Sequence, residues 1–175
     1  MNLFLLRHAK AAELEEAKVN HDRDRPLTEE GKEKMRLVAL GMKVLELEFD
    51  AILTSPCLRA KQTAEITAKV LGLESRVEGC PPLAPAGDPA QLVEIIRTRH
   101  NKAHSILLVG HEPNLSELVS KLTTGNLHLA LDFKKASLAK LSVSVLKPGR
   151  CAVLDWFLAP GQLALLAGAS KRQGA

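Results

Sequence analysis

The chain has no tyrosine, one tryptophan and four phenylalanines among its 175 residues. Its core must therefore be aliphatic, and it lacks the stacking platforms that hold single-stranded nucleic acid. Cys57, Cys80 and Cys151 lie far apart, which excludes a disulfide-dense scaffold and fits reduced thiols in the cytoplasm. None is followed six residues on by arginine, so a cysteine-phosphatase loop is missing too. No run approaches the roughly 20 apolar residues of a membrane span. The opening apolar run is too short for a signal-peptide core and leads straight into charge. Glycine motifs of the Walker or dinucleotide type are absent, as is Gly-x-Ser-x-Gly. The net charge of +4 is spread along the chain, with small groups at Lys134-Lys135 and Lys171-Arg172. A basic stripe is the footprint expected of a nucleic-acid binder. The expectation is a cytoplasmic protein with neither nucleic acid nor membrane as partner.

What the chain does have is alternation. An apolar run, Asn2 to Leu6, stops abruptly in Arg7-His8, and a second, Ser105 to Val109, stops in Gly110-His111. Between them Ala51 to Thr54 reads as another strand, and Arg76 to Glu78 as a short one. Helical spacing links Met35, Val38, Ala39, Met42 and Leu45, behind a Thr28 cap with Glu29 and Glu30 at its positive end. Ser55-Pro56 reads as a helix start and Gly72 as that helix's stop. Asp88-Pro89 opens a further helix carrying Leu92, Val93 and Ile96. Leu115, Leu118, Val119 and Leu122 mark one more. Ser137–Val145 and Cys151–Leu158 read as a strand pair around Pro148-Gly149. The pattern predicts a three-layer α/β/α sandwich whose sheet is mostly parallel with an antiparallel edge. One domain is expected over residues 1–165, with a tail at 166–175 that frays. The charged stretch 9–26 reads as a solvated loop, part of it placed to fold over whatever the Arg7-His8 corner builds.

Strands that deliver histidines at their carboxyl ends build sites, because ligands of open α/β sheets bind there. A neutral imidazole held in line can attack phosphorus and split one displacement into two. The transferring oxygens then want forked, permanently charged donors, which means arginine. Arg7 stands beside His8, and Arg59 lies one turn into the helix that opens at Ser55-Pro56. A helix N-terminus adds its own N–H groups for an anion.

Arg7-His8-Ala9, the segment Ser55-Pro56-Cys57-Leu58-Arg59-Ala60-Lys61-Gln62-Thr63-Ala64, and Gly110-His111-Glu112-Pro113 resemble, in order, three signatures of the phosphoglycerate mutase-like histidine phosphatase superfamily. Arg25 to Gly31 and Gly87-Asp88-Pro89 look most like its SixA branch of protein phosphohistidine phosphatases. The resemblance runs from the first strand to about residue 160. It implies that His8 becomes phosphorylated and that Arg7, Arg59 and His111 bind the phosphoryl oxygens. It implies no metal and no cofactor, and a phosphorylated signalling or phosphotransfer protein as substrate. Oligomeric state is left open. Ala9 departs from the glycine that many members carry.

The general acid is a second departure. Members acting on phosphate esters often place a glutamate after the third strand, and none stands between Glu78 and Glu94. Asp88 is the nearest carboxylate, with helix capping as its competing role, and Glu112 stands beside His111. An alkoxide leaving group needs a positioned acid, whereas phosphohistidine releases an imidazole, a far weaker base. The sequence thus favours phosphohistidine over sugar phosphates. A small-molecule phosphomonoesterase or mutase of the same superfamily, and a non-catalytic phospho-ligand binding module, are the alternatives. His100 and His104 have zinc-ligand spacing but no third ligand nearby, so no metal site is expected.

Overall fold

The computed structural model describes residues 1–173, with side-chain placement as far as Ala169. Six strands form one sheet: β1 (Asn2–Arg7), β2 (Ala51–Thr54), β3 (Val77–Gly79), β4 (Ser105–Gly110), β5 (Leu138–Val143) and β6 (Ala152–Leu158). Their order is β3-β2-β4-β1-β5-β6. The first four are joined by parallel pairings, while β5 and β6 add antiparallel strands at one edge.

Side chains alternate across this sheet, as the strand period demands. Leu3 and Leu5 of β1, with Ile106 and Leu108 of β4, pack under α4 (Pro89–Arg99) and α5 (Asn114–Thr124). Phe4 and Leu6, with Leu107 and Val109, pack under α2 (Glu29–Val44) and α3 (Leu58–Leu71). Strands that read as unbroken apolar runs are therefore buried on both faces. The few aromatics are divided between the two faces: Phe4 meets Phe49 and Trp156 edge-on at centroid distances of 5.1 and 5.8 Å on one, and Phe133 meets Phe157 at 5.0 Å on the other.

The helix punctuation acts as its chemistry requires. Thr28 Oγ1 accepts from Gly31 N at 3.0 Å and caps α2, and Gly72 ends α3 in the left-handed region at φ 72°. Helix α3 starts two residues later than Ser55-Pro56 implies. Cys57 is its N-cap, because the Cys57 N–H donates to Ser55 Oγ in a turn before the helix. Leu45 bounds α2 rather than continuing its buried face, and is 37% exposed.

The charged stretch and the C-terminal segment hold more helix than their composition suggests. The stretch 9–26 is not all loop, since it contains a short helix α1 (Leu14–Ala17) and a 3₁₀ turn, Asp22–Asp24. Residues 166–173 of the expected tail are the later turns of α6 (Pro160–Gln173). Pro160 suits a first helical turn, and Leu163 and Ala167 are buried, with Leu166 packed beside them against the cluster that includes α2. That apolar spacing outweighs the small, polar composition of the segment. The last two positions of the expected tail, 174–175, lie outside the described residues.

Candidate active site

The topology brings two strand ends together. Arg7 of β1 stands opposite Gly110 of β4 in parallel register, so His8 and His111 leave adjacent strands at the same level. Their rings lie 4.9 Å apart, tilted by 54°. Strand β2 flanks β4 on its other side, where Ser55 N donates to Val109 O at 3.0 Å. The site is thus built across three neighbouring carboxyl ends, as open α/β sheets favour.

His8 is buried. Its backbone N–H extends the ladder to Gly110 O at 3.0 Å. Its Nδ1 lies 2.7 Å from Ala9 O, and a carbonyl only accepts, so Nδ1 carries the proton. The lone pair then resides on Nε2. Burial first, and then the positive charge around His111, Arg59 and Arg7, hold the imidazole down at about 3, against the opposing pull of the Ala9 bond. It is a neutral base with a defined tautomer.

Helix α3 braces this corner. Ala9 N donates to Thr63 Oγ1 at 3.1 Å, and that hydroxyl donates to Arg59 O at 2.6 Å. Ala9 is buried and is not among the described residues with left-handed backbone. Its Cβ therefore needs no glycine in its place.

The cationic groups converge on the same place. Arg7 donates from Nη1 to Phe133 O at 2.7 Å, while its Nε is buried with no partner in the protein. Arg59 is buried, and its Nη1 and Nη2 donate to the backbone and carboxylate oxygens of Asp22 at 2.6 and 2.8 Å. Asp22 also accepts from Arg25 at 2.9 Å, so the charged stretch does fold across to the site. The hydrogen bonds from Arg25 and Arg59, outweighing the cost of burial, hold the Asp22 carboxyl below its ordinary range. His111 is buried, bonded through Nε2 to Ser55 Oγ at 2.8 Å, with Nδ1 unpartnered. Burial, followed by the charge of Arg59, lowers it to about 4, although Asp22 pulls the other way. Buried groups without partners are rare and ask for an explanation. Here Arg7 Nε and His111 Nδ1 are two such groups, one on the residue before His8 and one on the ring beside it, an arrangement fit to hold an anion.

The two candidate acids are placed differently. Asp88 is exposed, and its carboxylate caps α4 by accepting from Ala90 N at 2.8 Å. Glu112 accepts from Ser116 N at 3.0 Å in the first turn of α5. Neither is hydrogen-bonded or ion-paired to His8, Arg7, Arg59 or His111 among the described residues. No group of three or more His, Cys, Asp or Glu side chains is placed to hold a metal ion among those residues. His100 instead faces Glu78 at 3.6 Å. No helix among them is long and apolar enough to cross a membrane.

Sequence reasoning missed three supports: Ser55, Asp22 and Thr63. Ser55 and Thr63 lay inside the quoted motif, but only as a helix start and as a match. Asp22 had no local signal beyond its charge.

Known proteins resemble this chain in sequence and fold. A family model for the histidine phosphatase superfamily (branch 1) matches residues 3–80. An uncharacterised Picosynechococcus protein is 39% identical over 143 residues, 81% of this chain and 84% of that one. The phosphohistidine phosphatase SixA of Escherichia coli is 36% identical over 126 residues, 71% of this chain and 76% of that protein. A solved structure of the protein histidine phosphatase SixA complexed with tungstate superposes with a TM-score of 0.79 at 29% identity, covering 93% of this chain and 99% of that one.

Proposed function

The chain belongs to the histidine phosphatase superfamily, and on that premise we propose that it removes phosphoryl groups from phosphohistidine on a signalling or phosphotransfer protein. The observation that carries the reading is the Nδ1 bond of His8 to Ala9 O at 2.7 Å. It leaves the neutral lone pair on Nε2, while Arg7 Nε and His111 Nδ1 have no partner in the protein.

The chemistry then closes without a protein acid. His8 Nε2 forms a bond to phosphorus as the bond to the substrate imidazole breaks. The substrate ring, protonated by solvent on its other nitrogen, departs as neutral imidazole. Phospho-His8 keeps its Nδ1 proton on Ala9 O and is an N-phosphoimidazolium. Water attacks phosphorus, the Nε2–P bond breaks, and His8 returns neutral with its original tautomer. The water's proton leaves with phosphate. Arg7, Arg59 and His111 supply the positioning and charge stabilisation on which phosphoryl transfer mainly depends. With Asp88 and Glu112 engaged at helix N-termini, the site suits a leaving group that needs no help from a carboxylic acid.

Inorganic phosphate release from a histidine-phosphorylated phosphotransfer protein, with EDTA present and an aryl phosphate ester as control, tests this. Fast release that vanishes in His8→Ala, with slow ester turnover, is expected. Fast ester turnover with an inert phosphoprotein would overturn it in favour of a small-molecule phosphomonoesterase.

A further inference from the structure

Ser55 is wholly buried between the end of β2 and the start of α3, and His111 is 2% exposed beside it. The Ser55 hydroxyl oxygen accepts the Cys57 N–H at 3.2 Å and lies 2.8 Å from His111 Nε2. A hydroxyl has one proton to donate. Among the described residues Ser55 Oγ has no acceptor other than His111 Nε2. A buried hydroxyl proton without an acceptor is costly, so it goes to that nitrogen. Nε2 must then present its lone pair, and the ring proton lies on Nδ1, the nitrogen left without a partner in the protein.

We propose that Ser55 is a positioning residue that locks His111 in its Nδ1–H tautomer. The neutral ring then gives a phosphoryl oxygen a hydrogen bond and keeps its proton. This deepens the phosphatase reading, on which its catalytic consequence rests, while the tautomer is a property of the free protein. The chain of contacts is short. The Cys57 amide orients the Ser55 hydroxyl, the hydroxyl orients the imidazole, and the imidazole offers Nδ1–H next to His8. Burial holds the ring neutral throughout the physiological range. A neutral imidazole is a very weak acid, so His111 is not the missing proton donor. That agrees with a reaction in which the leaving ring takes its proton from solvent.

Ring nitrogen-15 shifts of His111 in the uniformly labelled free protein at neutral pH, assigned by their loss in His111→Asn, test the lock directly. A pyrrole-type Nδ1 with a pyridine-type Nε2 is expected in the wild type and in Ser55→Thr. In Ser55→Ala the two tautomers should mix, and kcat for phosphoprotein hydrolysis should fall about 10- to 100-fold, by analogy with losing the outer partner that orients a metal-bound histidine. An Nε2–H tautomer in the wild type overturns the proposal, even if Ser55→Ala does not fold. So does a folded Ser55→Ala protein whose tautomer is unchanged, whatever its activity. A correct tautomer in a protein that hydrolyses only esters would leave the lock standing and remove the phosphohistidine reading.

Discussion

Arg59 presents two edges. The edge between Nη1 and Nη2 faces Asp22, and the Nε side has no hydrogen bond of its own among the described residues. On the proposed function the phosphoryl oxygens meet that side, and Asp22 orients the guanidinium from the other. Asp22→Asn should lower kcat/KM about tenfold, at the mild end for a residue acting through a ligand-binding group, with little change in Tm. An unchanged kcat/KM would show that Arg59 is fixed by burial alone. Arg59→Lys should cost about 100- to 1000-fold in kcat, the loss expected when an oriented donor to developing charge is removed. Lysine keeps the charge and loses the fork, so a near-wild-type Lys variant would contradict that role.

The two histidines also set a stability signature. Their ordinary value of 6.5 falls to about 3 for His8 and about 4 for His111 in the folded protein. Below pH 6.5 the unfolded chain binds protons that the folded chain refuses, so stability falls as pH drops through that window. Denaturant midpoints measured between about pH 7 and 4.5 should decline less in a His8→Gln, His111→Gln double variant than in the wild type. Parallel declines would mean that the rings are solvated. At this scale His8, Arg7, Arg59 and His111 were legible because chemistry-bearing residues stood at strand and helix ends. Ser55 and Asp22 were not, since their partners, His111 and Arg59, lie 56 and 37 residues away in sequence.

Among the elements, α2 and α6 approach each other at backbone distance. A Cβ on Gly41 would stand 2.1 Å from Leu163 O, and a carbonyl inside α6 has no slack to yield. Gly41→Ala should destabilise the protein by about 1–3 kcal/mol, as overpacking does, although alanine is the better helix former. A raised Tm would show that the two helices are free to separate. Helix boundaries at Thr28, Gly72 and Asp88-Pro89 were readable because each carries its own local hydrogen bond or backbone preference. Helix α6 was not, because its small residues mask the spacing of Leu163, Leu166 and Ala167 until α2 is there to receive them. The start of α3 was misplaced for a similar reason. Ser55 takes the Cys57 amide before the helix begins, and the sequence alone cannot separate that turn from a cap.

Across the whole molecule, the alternation of strand and helix announced a layered α/β protein, and the apolar runs announced strands buried on both faces. The order β3-β2-β4-β1-β5-β6 was beyond the sequence, because pairing of distant strands depends on which crossovers pack together. That order is what makes the site. Placing β4 between β1 and β2 sets His111 between His8 on one side and Ser55 on the other. The proposed reaction passes a phosphoryl group through His8. Rapid-quench mixing with a histidine-phosphorylated phosphotransfer protein, followed by phosphopeptide mapping under alkaline conditions, measures that passage directly. An acid-labile, base-stable phosphoryl group should accumulate on His8 before free phosphate appears, and be absent in His8→Asn. Full phosphate release by His8→Asn, or label on any other residue ahead of His8, would contradict it.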